Sequence, residues 1–274
     1  MNKTLVTHIN PHLDDIAAIW LIKRFFSEFK GAKIEFISAE KGESGVSDDD
    51  NTLHIGVGRG KYDEHKGDIG ESAMSLVWLD IKKRGLAPKN KFEVQAYERA
   101  VKWNTLIDTA RLPYWEYDDF DIDNFIRSFK NDAKDSLKTV KLGEEILDRI
   151  YPSLVKTFQG LADWEKRIEF KSKWGKVVAI ESASFGRSYA YKMGFAVVIV
   201  SHNKGGRFIG ITAPGTSDLD LTPIYVKLTQ IEPAVGWFLH HGKKMILCGA
   251  ASAPEVVRSK LTLPEVIEIV KSIK

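Results

Sequence analysis

Four of the chain's seven histidines fall in two short segments near its start, each with carboxylates beside them. The first reads His8-Ile9-Asn10-Pro11-His12-Leu13-Asp14-Asp15. The second runs from His54-Ile55-Gly56-Val57-Gly58 into Tyr62-Asp63-Glu64-His65. Imidazole nitrogen and carboxylate oxygen together form the donor set of borderline divalent ions. The spacing His8-x3-His12-x-Asp14 puts three candidate ligands in one short loop, enough to wrap a single ion, and a loop ligand such as Asp14 is expected to add charge to a site and little to a core. An ion of the Mn²⁺ or Zn²⁺ type held by such ligands lowers the pKa of its bound water and so supplies a hydroxide nucleophile at neutral pH. The expected cofactor is a divalent metal, Mn²⁺ first, with Zn²⁺ or Mg²⁺ as alternatives.

Both clusters need strands to deliver them. An apolar strand over Thr4 to Thr7 runs into the first and another over Asn51 to Val57 into the second. Consecutive strands ending at one edge of a parallel sheet bring such residues together. Between them, Ile16, Ala17, Ile19, Trp20, Ile22 and Phe26 recur at helical spacing through Lys30, with Gly31 as the C-cap. A short strand from Lys33 ends near Ala39, and a polar loop covers residues 40–50. The order β-α-β-β is that of an open α/β sheet. Helices are expected over about residues 71–84, closed by Gly85, and 92–110, with Asp108 near the end of the second. The aromatic and acidic stretch Tyr114 to Asp121 reads as a packed surface loop. Helical periodicity then resumes through Lys171, interrupted at Pro152 and Gly160. From Lys176 the chain turns strand-rich, with strands over residues 177–180, 196–200, 208–211 and 245–248, the second and third joined by a hairpin at Asn203-Lys204-Gly205-Gly206. Thr262-Leu263-Pro264-Glu265 is a capping box that opens a final helix. The fold class expected is α/β: an N-terminal domain, residues 1–172, with a mostly parallel sheet flanked by helices, and a smaller C-terminal α/β domain, residues 173–274.

Bulk properties exclude more than they select. The 274 residues carry 40 Lys+Arg against 37 Asp+Glu, a net charge of +3 that is too mild to point to a nucleic-acid partner. The single cysteine, Cys248, excludes an intrachain disulfide and a cysteine-built zinc site and fits a reducing cytosol. No apolar run approaches the roughly 20 residues of a membrane span, and Met1-Asn2-Lys3 leads into a strand rather than a signal peptide. A soluble cytoplasmic protein with no membrane partner is the expectation.

The string His8-x3-His12-x-Asp14-Asp15, followed by an apolar helix and later by a Gly-rich strand end running into Asp-x-His, resembles the DHH phosphoesterase superfamily. Within it the chain is most similar to the melanocyte-proliferating-gene family of 3′-to-5′ RNA exonucleases, whose first motif has His before Cys-Asp-Glu where this chain has His12-Leu13-Asp14-Asp15. Leu53-His54-Ile55-Gly56-Val57-Gly58 stands where that family has Asp-Val-Gly-Gly, and Tyr62-Asp63-Glu64-His65 where it has aromatic-Asp-His-His. Asp108, in Leu106-Ile107-Asp108-Thr109, resembles the fourth-motif aspartate. Trp237-Phe238-Leu239-His240-His241-Gly242 and the trailing Gly249 are similar to its Phe-Val-His segment.

The resemblance implies metal ligands at His8, His12, Asp14, His54, Glu64 and Asp108, with Asp15 and Asp63 orienting ligands and His65 contacting phosphate or assisting proton transfer. Two positions depart from the pattern: His54 replaces the bridging aspartate, and Glu64 the first histidine of Asp-His-His. An imidazole nitrogen cannot bridge two ions as a carboxylate can. A rearranged two-metal site with Glu64 as the bridge is one reading, and a one-metal or silent site is the other. In the second domain Arg187, His240, His241 and Gly242 are the candidates for gripping a phosphate or terminal nucleotide, with the active centre in a cleft between domains. Trp237 and Phe238 read as core. Gly56-x-Gly58-x-Gly60 opens no helix and is a poor dinucleotide loop. The expected function is metal-dependent 3′-to-5′ exonucleolytic hydrolysis of short RNA or DNA. The alternatives are hydrolysis of a small nucleotide or phosphoanhydride, and non-catalytic nucleotide or RNA binding on a decayed hydrolase scaffold.

Overall fold

Thr4 to His8 forms the first strand, β1 (Thr4–His8), with its three central residues buried, so it reads as an interior strand covered on both faces. In the computed structural model, which describes residues 3–39, 48–67, 70–129 and 133–274, β1 lies in parallel between β2 (Lys33–Ile37) and β3 (Thr52–His54). The expected loop over residues 40–50 falls largely outside the described residues. Helix α1 (Leu13–Phe25) follows β1. It ends five residues before the expected Lys30, because Phe26 takes extended backbone and Phe26 and Phe29 bury their rings around a 3₁₀ turn. Helices α2 (Ala73–Lys83) and α3 (Lys91–Asp108) come next, the first opened by a Ser72 capping box and the second by Asn90. Trp20, Phe25, Trp78, Tyr97 and Tyr151 pack ring against ring in this core.

A short helix, α4 (Ile122–Arg127), precedes α5 (Ala133–Asp163), a 31-residue helix that runs through both expected interruptions, Pro152 and Gly160. The apolar face bearing Val140, Leu147 and Tyr151 packs on the core and outweighs the amide bond that Pro152 cannot make. The helical pattern expected to reach Lys171 stops earlier: residues 168–172 form β4 (Ile168–Ser172), a hairpin partner of β5 (Gly175–Glu181). The turn between them needs Gly175, at φ 104°.

The remaining strands are β6 (Val197–His202), β7 (Phe208–Thr212), β8 (Phe238–Leu239) and β9 (Met245–Cys248). They join β4 and β5 in a mixed sheet of order β4-β5-β6-β7-β9-β8, in which β5 and β6 alone run parallel among the named pairs. Alternate residues feed two cores: Val177, Ala179, Val197 and Ile199 on one face, Val178, Ile180, Val198 and Val200 on the other. Helices α6 (Arg187–Lys192), α7 (Thr222–Ile231) and α8 (Leu263–Ser272) complete it, the last with the expected Thr262 and Glu265 capping box. The architecture is α/β. Contacts group residues 1–155 and 156–274 as two units; the expected division near 172 lies at the end of β4. No helix among the described residues is long and apolar enough to cross a membrane.

Candidate metal centre

The carboxyl end of β1 and the start of α1 lay the first cluster along one wall of a cavity of about 780 Å³ in the first unit. His8 Nε2 sits 2.9 Å from Asp15 Oδ2, and the same oxygen accepts from the His12 backbone N–H at 2.8 Å, so Asp15 ties the strand end to the helix start. His8 Nδ1 lies 2.9 Å from its neighbour's carbonyl, Ile9 O. Burial by itself would lower the His8 imidazole, but the hydrogen bond and charge of Asp15 outweigh it and raise the group to about 9. Asp15 thus favours the charged form of His8 in the ion-free protein and faces its Nε2. Burial lowers His12, and the charges of His8 and Arg127 push the same way against that of Asp15.

Asp14 sits inside the first turn of α1 rather than in a loop. Its Oδ2 accepts from Ala73 N–H at 2.7 Å and its Oδ1 from Met74 N–H at 3.0 Å, the first two amides of α2, and Asn104 Nδ2 also donates to Oδ1. The expectation that Asp14 matters little to the fold therefore fails: this one carboxylate joins α1, α2 and α3. Burial first, and then Asp108, Asp15 and Glu64, push the Asp14 carboxyl well above its ordinary range. Glu64 is raised to about 7, mainly by burial, and Asp108 is raised by burial and by Asp15.

Donor atoms of Asp14, Glu64 and Asp108 lie within 4.8 Å of one another, as do those of His8, His12 and Asp15, and those of Asp63, Glu64 and His65. All eight of these residues line the cavity. Glu64 Oε2 is buried with no hydrogen-bond partner among the described residues. A buried carboxylate oxygen without a donor, amid two other carboxylates, is an acceptor set short of a cation, and a divalent ion fits it.

His54 is not brought in. The β1–β3 register sets it level with Val6, two residues short of His8, or about 7 Å at the usual rise per residue. Its ring instead meets Asp48 Oδ1 at 2.9 Å, and it belongs to none of the three groups. Asp63 accepts from Arg59 N–H at 2.5 Å and from His65 N–H at 3.0 Å, while His65 Nδ1 lies 2.9 Å from its Oδ1. It braces the exposed His65 ring, which is raised because Asp63 and Glu64 outweigh the lowering effect of burial.

Three contributors have no assigned role in the expected site. Asn104 lies four residues before Asp108 on the same helix face, a spacing that does signal a shared site. Gly56, at φ 60°, has no room for a side chain, since a Cβ would stand 1.9 Å from Asp15 Oδ1. Arg127 enters from α4. In the second unit Arg187 and His240 line a separate cavity of about 720 Å³. The His241 ring lies tilted by 39° against His240 at 4.0 Å between centroids, and His240 Nδ1 accepts from Gly242 N–H at 3.1 Å.

No family model and no curated protein matches the chain. Among solved structures it is similar to the crystal structure of RecJ in complex with Mg²⁺ from Thermus thermophilus, with 12% sequence identity and a TM-score of 0.36. That likeness covers 99% of this chain and 49% of the other, so the chain spans about half the length of that neighbour.

Proposed function

We propose that the chain is a metal-dependent phosphoesterase of the DHH type, closest in its motifs to the 3′-to-5′ exonucleases of the melanocyte-proliferating-gene family, acting on short RNA or DNA. The observation that carries this reading is the Asp14, Glu64 and Asp108 group, with its unpartnered Glu64 oxygen, in one cavity with His8, His12 and Asp15. Asp14, Glu64 and Asp108 would hold one divalent ion, Mn²⁺ by donor type, and His8 with His12 a second. Such ions supply Lewis-acid neutralisation of phosphoryl oxygens and hydroxide at neutral pH.

The chain's own residues do the rest. Glu64 replaces a histidine of the family pattern, and its place beside both Asp14 and Asp108 suits it to hold the same ion that they would. Asp15 pairs with His8 Nε2 and so orients the imidazole. Asp63 fixes His65 through Nδ1, leaving Nε2 to donate to a phosphoryl oxygen or to move a proton. Arg187 and His240 are proposed as anion contacts of the second unit's own cavity.

The test is turnover of short oligonucleotides labelled at either end, with Mn²⁺ added to chelator-treated protein. Stepwise loss from the 3′ end is expected, and Glu64→Gln, which removes charge from the site without breaking the links that Asp14 makes between helices, should lower kcat by at least about a thousandfold. Ion binding without turnover of any phosphodiester would instead favour a binding protein.

A further inference from the structure

The cavity is dominated by carboxylates, yet a phosphate ester is an anion. Five acids line it, and so do two guanidinium groups, those of Arg59 and Arg127. They differ in how they are held. Arg59 projects from an exposed turn at φ 54° between two glycines, and its side chain makes no ion pair among the described residues. Arg127 is braced: its Nε donates to Asp123 Oδ2 at 2.6 Å. The Asp123 side chain is only 10% exposed, while that of Arg127 is 46% exposed. An exposed i,i+4 ion pair contributes little to stability. A buried carboxylate on Nε does something else, which is to fix the plane of the guanidinium and leave its terminal amino groups to meet a ligand bidentately. The charge of Arg127 is felt at both His12 and Asp108, one from each of two ligand groups.

We propose that Arg127 is a phosphate-contacting residue of this cavity, aimed by Asp123, and that its ligand is the phosphoryl group of a phosphate ester or of inorganic phosphate. The assignment rests on the phosphoesterase reading for its choice of anion. It also moves part of the substrate grip, expected in the second unit at Arg187 and His240, into the unit that bears the metal ligands. Asp123 is a positioning residue here and touches no substrate.

The test uses the full chain loaded with Mn²⁺, with inorganic phosphate as the calorimetric probe and a dinucleotide for turnover. Arg127→Gln should weaken phosphate binding and raise KM by about tenfold to a hundredfold, the usual worth of a hydrogen bond to a charged group, while Mn²⁺ affinity read by electron paramagnetic resonance stays as in the wild type. Arg127→Lys, which keeps the charge and loses the fork, should fall between. Asp123→Asn should weaken phosphate binding when Arg127 is present and have no further effect in Arg127→Gln; purely additive losses would remove Asp123 from the proposal. Wild-type turnover with an unchanged KM and phosphate affinity in Arg127→Gln overturns the inference and leaves the phosphoesterase reading standing. Phosphate binding that Arg127→Gln abolishes, without turnover in the wild type, overturns that reading and leaves the inference. A loaded wild type that neither binds phosphate nor turns over overturns both.

Discussion

At the scale of single residues, the candidate centre is a set of side chains serving two structures at once. Asp14 is offered to an ion and also caps α2; Asp15 braces His8 and also fills the space that Gly56 leaves. Gly56→Ala should therefore cripple the site without touching a ligand. The new methyl displaces the Asp15 carboxylate and the backbone is left at a φ costly for alanine, so a loss of about 1–3 kcal/mol in stability is expected together with weaker Mn²⁺ binding. Denaturant unfolding and ion titration check both, and a variant of wild-type stability and ion affinity would refute the assigned close approach. The histidine and carboxylate clusters were legible in the sequence because ligand chemistry limits the residue types. Asn104, Arg127 and the exclusion of His54 were not, because they depend on register and on helix docking, which no local spacing states.

Elements were legible where periodicity is strong: β1, α2, α3, β5 to β7 and α8 stand close to where the pattern predicts them. Errors arose where a single residue was given too much weight. Pro152 and Gly160 did not break α5, and Phe26, not Gly31, ended α1. Short elements such as α6 and β8 carry too few turns or alternations to stand out. The stretch Tyr114 to Asp121, expected to pack, leaves Tyr114 87% and Phe120 84% exposed. Because α5 tolerates Pro152 at an exposed position, Pro152→Ala restores an amide donor and a better helix former at no steric cost. A gain of about 1–3 kcal/mol is expected from calorimetric unfolding, and a loss would mean that the proline is needed for the local path of the helix.

For the molecule as a whole, the crowded carboxyls make stability depend on pH and on ions. His8, at about 9 in the fold against an ordinary 6.5, stabilises fully below 6.5, and that contribution is lost as pH rises through 9. Glu64, at about 7 against 4.5, behaves likewise: its contribution is complete below 4.5 and gone above 7. The ion-free protein should thus lose thermal stability from about pH 5 to pH 9, and Mn²⁺ should restore it by a margin that widens with pH, since binding expels those protons. A Tm series with chelator and with Mn²⁺ decides this; a flat ion-free series would contradict the protonation states assigned here. The strand pairings carry one more consequence, for how the chain acquires its shape. Two pairs of the second sheet, β4 with β5 and β6 with β7, meet after tight turns, Ser172 with Gly175 and His202 with Phe208, whereas in the first sheet Thr4 must find Lys33 and Thr52 across long crossovers. Loop closure is slow for such distant parallel partners. The two hairpins of the later half should therefore reach order before the first sheet during refolding, with Mn²⁺ uptake trailing the first recovery of sheet signal, so that a newly made molecule spends its earliest moments partly structured but unable to hold the ion.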